Sequence, residues 1–300
     1  MNFEFPHAGE VYSALCALLW AVAVILFRKS GERVTPVVLN LFKDVAGLIL
    51  LCITMLILSV EFFPSTQTTE DWIILLVSGV IGIGIADTLF FASLNRLGAG
   101  RSAIVDCLYS PFVILCSLVH LDESFGPMLI VALALMVGAI FVGTWQPEQL
   151  DKPEDKKQLR IGVVLGVISM ACMAIGISMA KPVLDRCDPW WATTVRMAAG
   201  TALMAVIVAG TSRRKEFIKV FRPSSLWKVT IPAAVTGSYL AVFFWIAGMK
   251  YTETTTASVL NQASNVFVIF LATLFLKERL TVRKLLAICM GFAGGLIATL

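Results

Sequence analysis

Residues 146–160 read QPEQLDKPEDKKQLR, with two prolines and eight charged side chains in fifteen positions. The rest of the chain is the opposite in character. Over all 300 residues 58% are hydrophobic and only 15% are charged, and the mean hydropathy is +0.86. Soluble domains carry about 25% charged residues. On both sides of 146–160 the charges sit in short clusters separated by apolar runs of about 17–25 residues, the length that crosses a hydrocarbon core as a helix. The chain therefore reads as an all-α integral membrane protein, and its composition excludes disordered, disulfide-stapled and nucleic-acid-binding classes. The net charge of +4 belongs to loop topology.

The charged stretch has a linker's composition and divides the chain into a first half (1–146), a cytoplasmic linker (147–160) and a second half (161–300). Hydropathy predicts ten transmembrane helices near 11–27, 35–59, 72–95, 101–121, 126–145, 161–180, 189–210, 227–249, 255–276 and 282–300, five in each half. The halves resemble each other. An offset of 153 places Pro36 on Pro189, Lys43 on Arg196 and Gly47 on Gly200. An offset of 155 places Trp72 on Trp227, Gly82 on Gly237, Phe112-Val113-Ile114 on Phe267-Val268-Ile269, and Glu123 on Glu278. The change of two falls in the loop between the second and third helices, where an insertion is cheap. Five spans per half make the second copy enter from the opposite side. The expectation is two inverted five-helix repeats, an architecture that puts a substrate site near the membrane midplane.

Lysines and arginines in the loops set orientation. The loops after helices 1, 3, 5, 7 and 9 hold nineteen, whereas the other side holds Lys181, Arg186 and Lys250. Both termini are thus expected outside the cytoplasm, with a bacterial inner membrane as the expected location. Residues 213–228, RRKEFIKVFRPSSLWK, interleave basic and apolar side chains and read as a segment on the cytoplasmic membrane surface. Residues 1–10 contain no lysine or arginine, so no cleaved signal peptide is expected.

Three stretches carry a likeness to a known family: ALLWAVAVILFRKSGE (17–32), LNLFKDVAG (39–47) and GMKYTETTTASVLNQASNVFVIFLATLFLKERL (248–280). Over almost its whole length the chain resembles the EamA-type family of the drug/metabolite transporter superfamily. Glu278-Arg279 matches the family's closing pair after the fourth helix of a repeat, and Asp122-Glu123-Ser124 keeps the glutamate without the arginine. Pro111 matches the mid-helix proline, whose second-half position is Val266. The resemblance implies a ten-helix bundle that exports or exchanges small polar metabolites by alternating access.

Charges inside the predicted spans give the candidate site. Lys43, Asp44, Asp87, Asp106 and Arg196 would each cost about 2.5–3.5 kcal/mol facing lipid at a helix centre, so they are expected to face the bundle interior. Lys43 and Asp44 are neighbours, about 100° apart round a helix, and poorly placed to share a face. Lys43 shares its face with Asn40 and Gly47. Lys43 and Arg196 each lie seven residues past aligned prolines, about 10 Å in from opposite sides at 1.5 Å per residue. Such a pair suits a carboxylate or phosphate on a substrate. Asp87 and Asp106 are positions for proton coupling or for a counter-ion. Tyr109, Asn261 and Asn265 offer hydrogen bonds, and Trp20, Tyr239 and Trp245 an aromatic lining.

The seven cysteines contain no CxxC pair, and there are two histidines. No metal site, cofactor, Walker motif or nucleophilic triad is expected, and nothing points to an enzyme. Glycines 79, 82 and 84 read as close helix contacts. The function expected is secondary transport of an amino acid or another carboxylate- or phosphate-bearing metabolite, with protons considered as coupling ion. The alternatives are efflux of cationic or apolar drug-like compounds and a membrane scaffold that transports nothing.

Overall fold

In a computed structural model, which describes residues 7–121 and 153–297 together with eight helical residues between 131 and 142, the described chain is helical throughout. The helices are α1 (Ala8–Ser30), α2 (Pro36–Ile57), α3 (Thr69–Leu97), α4 (Ala99–Asp106), α5 (Tyr109–Leu121), α6 (Pro153–Leu184), α7 (Pro189–Ala209), α8 (Arg214–Phe221), α9 (Trp227–Tyr251), α10 (Thr254–Asn261), α11 (Ala263–Phe275) and α12 (Val282–Ile297). Eight segments are long and apolar enough to cross a membrane: α1, α2, α3, α4 with the start of α5, α6, α7, α9, and α10 with α11. The expected fifth span, 126–145, lies largely outside the described residues. The expected tenth is described over 16 residues, Val282–Ile297.

Helix starts follow local chemistry. Proline opens α2, α6 and α7, where its missing N–H costs nothing. Asp188 caps α7, accepting from the N–H groups of Trp190 (2.8 Å) and Trp191 (3.3 Å). Thr68 and Asp71 form a reciprocal capping box at the start of α3. Helix α6 begins eight residues earlier than the apolar periodicity predicts, because Pro153 starts a helix inside the charged linker.

The core is mainly apolar, but the exterior is apolar as well, and charges from the predicted spans are buried. Lys43, Asp44 and Arg196 are at most 1% exposed, whereas Leu56, Ile57, Val206 and Phe270 are at least 66% exposed. A lipid-facing surface requires this arrangement, since polar groups have no water to bond there.

Two expected helices are broken. The predicted 101–121 is interrupted at Cys107 and Leu108, and the predicted 255–276 at Gln262. Cys107 and Gln262 correspond at the 155 offset, so both halves break at one place. Two helices also carry a π-helical stretch, Val80–Ile85 in α3 and Ala234–Ala241 in α9, again at corresponding positions. A hydropathy pattern averages over such local rewinding, which explains why it read continuous helices.

Helices α3, α6 and α7 cross with almost no side chain between them. A Cβ on Gly79 would run into the backbone of Arg196, and one on Gly176 would stand 3.1 Å from the Cα of Gly82. Gly79→Ala is therefore expected to lower stability by about 1–3 kcal/mol through overpacking. Gly84→Ala should cost less, since its methyl would crowd only the tip of the Leu203 side chain and would meet the Gly200 backbone at an ordinary 3.5 Å. Thermal unfolding of the two variants in detergent, side by side, checks this.

Candidate functional site

Helices α1, α3, α4, α5, α6, α9, α10 and α11 enclose a cavity of about 760 Å³, part of it continuous with solvent. Its wall is largely aromatic and thioether: Trp20, Phe90, Tyr109, Trp245, Met170 and Met173. The polar groups reaching it are Asp87, Asp106, Asn261, Gln262, Ser264 and Asn265. Most of these sit in or next to the broken and rewound helix stretches.

The breaks meet one another. The Gln262 side-chain amide donates to the Cys107 carbonyl at 3.0 Å, and the Asn265 amide approaches the Cys107 Sγ at 3.5 Å. Behind them, Ser110 donates to Ser258 at 3.2 Å. An interrupted helix leaves carbonyls and N–H groups without intrahelical partners, and here the second half's Gln262 supplies one for the Cys107 carbonyl of the first. Several atoms remain unpaired among the described residues: Asp106 Oδ1, both polar atoms of the Asn261 side chain, and Gln262 Oε1. Gln262 is only 4% exposed. A buried polar atom with no partner costs about 1–3 kcal/mol.

Of the predicted site residues, Trp20, Tyr109, Asn261, Asn265, Asp87 and Asp106 line the cavity, and Lys43, Arg196, Asn40 and Tyr239 stand behind or away from its wall. Lys43 is tied by its neighbours: its Nζ lies 2.5 Å from Asp44 Oδ1 and 2.7 Å from Asp87 Oδ2. Spacing round the helix argued against a Lys43–Asp44 contact. The long lysine side chain curls across that angle and makes it. Asn40 donates to the carbonyls of Ile83 and Gly84, both at 3.1 Å, which belong to the π-helical stretch of α3. The Tyr239 hydroxyl pairs with Thr54 at 2.7 Å. Tyr109 accepts a hydrogen bond from Trp245 at 3.1 Å, which fixes two of the cavity's aromatic rings.

Arg196 is fully buried. Its Nη1 donates to Ser78 Oγ at 2.5 Å and to the Gly176 carbonyl at 3.3 Å, and its guanidinium carbon lies 5.5 Å from the Trp245 ring. Nε and Nη2 have no hydrogen-bond partner among the described residues. A Cβ on Gly82, a cavity-wall residue, would stand 3.3 Å from Nη2. Bare glycine thus separates the guanidinium from the cavity.

Three residues central to this arrangement were not singled out as site residues from sequence: Gln262, Cys107 and Ser78. The repeat offset carried the signal for the first two, since it pairs Asp106 with Asn261 and Cys107 with Gln262. Ser78 carries none, because its role depends on how α3 crosses α7. Among the described residues no group of three or more His, Cys, Asp or Glu side chains is placed to hold a metal ion.

No curated protein matches the chain. A crystal structure described only as that of a protein superposes with a TM-score of 0.72 over 97% of this chain and 96% of its own, at 16% identity; that likeness is one of fold. The profile of the EamA-like transporter family matches twice, over residues 7–145 and 160–300. The two matches are the two repeats seen in the sequence and in the paired helix breaks, and they leave between them residues 146–159, nearly the whole charged linker. This chain belongs to the EamA-like transporter family, as a multi-pass membrane protein of two repeats.

Proposed function

We propose that the protein is a secondary transporter of a small, amine-bearing polar metabolite of amino-acid type. Two inverted five-helix halves, 1–146 and 161–300 about the linker 147–160, would give alternating access to the cavity from either side. The observation that carries the reading is the set of unpaired polar atoms on the cavity wall. Asp106 and Asn261, repeat counterparts at the two helix breaks, offer a carboxylate and an amide to an ammonium group. Asn265 and Tyr109 complete the polar wall, and Trp20 packs against the apolar part of the solute. Arg196, buried behind Gly82, provides charge for a carboxylate. Lys43 serves this site indirectly, by holding Asp87 on the wall.

Efflux of cationic or apolar compounds is the second reading. The aromatic and methionine lining supports it, together with two carboxylates on the wall. The readings separate in a thermostability screen of purified protein against amino acids, organic cations and phosphorylated metabolites. A ligand at 100 times its Kd adds about 2.7 kcal/mol to the folded state. Stabilisation by amino acids that weakens in Arg196→Gln supports the first reading. Stabilisation by cations without a carboxylate, unchanged in that variant, supports the second.

A scaffold that transports nothing needs no wet cavity. Asn261→Cys is expected to add one thiol that reacts with a membrane-impermeant reagent, above the background of the seven native cysteines, and to be shielded by the stabilising solute. An unreactive Cys at 261 would count against a solvent-filled site.

A further inference from the structure

Helix α8 is the short amphipathic helix between the spans α7 and α9, and its two faces are unlike. Phe217, Val220 and Phe221 turn inward: Val220 is 5% exposed, and the Phe221 ring packs on Phe42 of α2 at 4.9 Å. Trp227 of α9 donates to the Val220 carbonyl at 2.8 Å. Glu216, the one acid in the segment, accepts from both the N–H (2.7 Å) and the hydroxyl (2.9 Å) of Thr35, which immediately precedes α2. The helix is therefore bolted to the start of the other half's second span.

The outward face is made of Lys215, Ile218, Lys219 and Arg222, spaced i, i+3, i+4, i+7 and all exposed. Arg213 and Arg214 extend it at the N-terminal end and Lys228 lies beyond its C-terminal end, likewise exposed. None of these cations has an acidic partner among the described residues, because Glu216 is committed to Thr35. Ile218, 53% exposed, stands between Lys215, Lys219 and Arg222. Cations flanking an aliphatic side chain match the boundary of a bilayer, where phosphates lie next to acyl chains.

We propose that α8 is a docking surface for anionic phospholipid headgroups, and that headgroup binding there stabilises the packing of α2. Two contacts carry the effect inward. Glu216 holds Thr35 at the helix start, and Phe221 holds Phe42, the neighbour of Lys43. A lipid that fixes α8 thereby restrains the end of the span whose Lys43 anchors Asp87 on the cavity wall. The transporter's stability then depends on the charge of the leaflet that α8 touches. This inference does not depend on the identity of the solute.

The full-length protein in phosphatidylcholine nanodiscs, with and without phosphatidylglycerol, provides the test. Thermal unfolding and the number of phosphatidylglycerol molecules retained in native mass spectrometry are the two readouts. The expected result is a rise of several degrees with phosphatidylglycerol. Arg214→Gln/Lys215→Gln/Lys219→Gln/Arg222→Gln should lose it, with headgroup binding weakened about fivefold for each cation removed. Lys156→Gln/Lys157→Gln, an exposed pair at the start of α6, should keep it. Glu216→Gln should retain the lipid yet show a smaller rise, since the bolt to Thr35 is weakened. If the fourfold variant does not fold, Lys215→Gln and Lys219→Gln singly should each lose part of the rise. The proposal is overturned by no rise in the unaltered protein, by a full rise in the α8 variants, or by an equal loss in the linker pair.

Discussion

Lys43→Met is expected to destabilise the protein by about 3–5 kcal/mol, the cost of leaving buried carboxylates without their cation. Asp44 and Asp87 both contact Lys43 Nζ, and both lie in the protein interior. Without the ammonium, two acids in a low-dielectric region must either repel or take up protons. Asp44 is the more exposed to this loss, because its Oδ2 already lacks a partner among the described residues. Yield and thermal unfolding in detergent give the readout. The companion variant Lys43→Met/Asp44→Asn/Asp87→Asn should recover much of the loss, since replacing an entire buried charged cluster is often close to neutral. A single Lys43→Met variant as stable as the unaltered protein would remove the cluster from any account of how α2 and α3 are held together. The comparison also separates structure from binding: a ligand that still stabilises the triple variant does not need these charges.

The second large effect is expected at Asp106. Asp106→Asn keeps the shape of the side chain and removes its ability to ionise opposite a cation, so the loss falls on a ligand's ammonium group. The proposed contact is charge-assisted and lies in a cavity walled by aromatic rings, where such bonds are worth roughly 1.5–3 kcal/mol. Binding should weaken between tenfold and about a hundredfold, which would abolish the shift of a ligand supplied at modest excess. Stability without ligand should change little or improve, because the carboxylate oxygen has no partner to lose. That combination, lost binding with intact folding, is the reverse of the result expected for Lys43→Met. Unaltered binding in Asp106→Asn would relocate the amine to Asp87 or discard the amine altogether.

How much of this was legible in the sequence depended on whether a feature was periodic or local. Spans are periodic, and the apolar runs placed α1, α2, α3, α7 and α9 to within a few residues of their ends. The repeat is also periodic, and its 155 offset aligned residues that the fold later brought together at Cys107 and Gln262. Helix breaks are local. Only the first is signalled in the sequence: Pro111 has no N–H for the Cys107 carbonyl four residues earlier, the carbonyl that Gln262 bonds instead, whereas VLNQASNV holds no proline. Burial of Lys43, Asp44 and Arg196 followed from their cost in lipid, but their partners did not. Lys43 met its own neighbour through side-chain length, and Arg196 met Ser78 and the Gly176 carbonyl because glycines let three helices touch. A seven-residue spacing past matched prolines put both cations at similar depth, and only the fold distinguished the sequestered lysine from the arginine behind Gly82.

The contact between Lys43 and Asp44 has a consequence for how the chain is made. Asp87 lies 44 residues beyond Lys43 in the chain (87 − 43), so α2 reaches the translocon ahead of it. A lone lysine at that depth would oppose lateral release into lipid by about 2.5–3.5 kcal/mol. Because the adjacent residue is its counter-ion, 2.5 Å away in the finished protein, the nascent segment can travel as a dipole with no net charge. Asp87 then joins a cluster already inside the bilayer, and its own entry is eased by the ammonium waiting there. Biogenesis thus gives the sequence order Lys43-Asp44 a meaning apart from transport: the span carries its own neutraliser through the membrane.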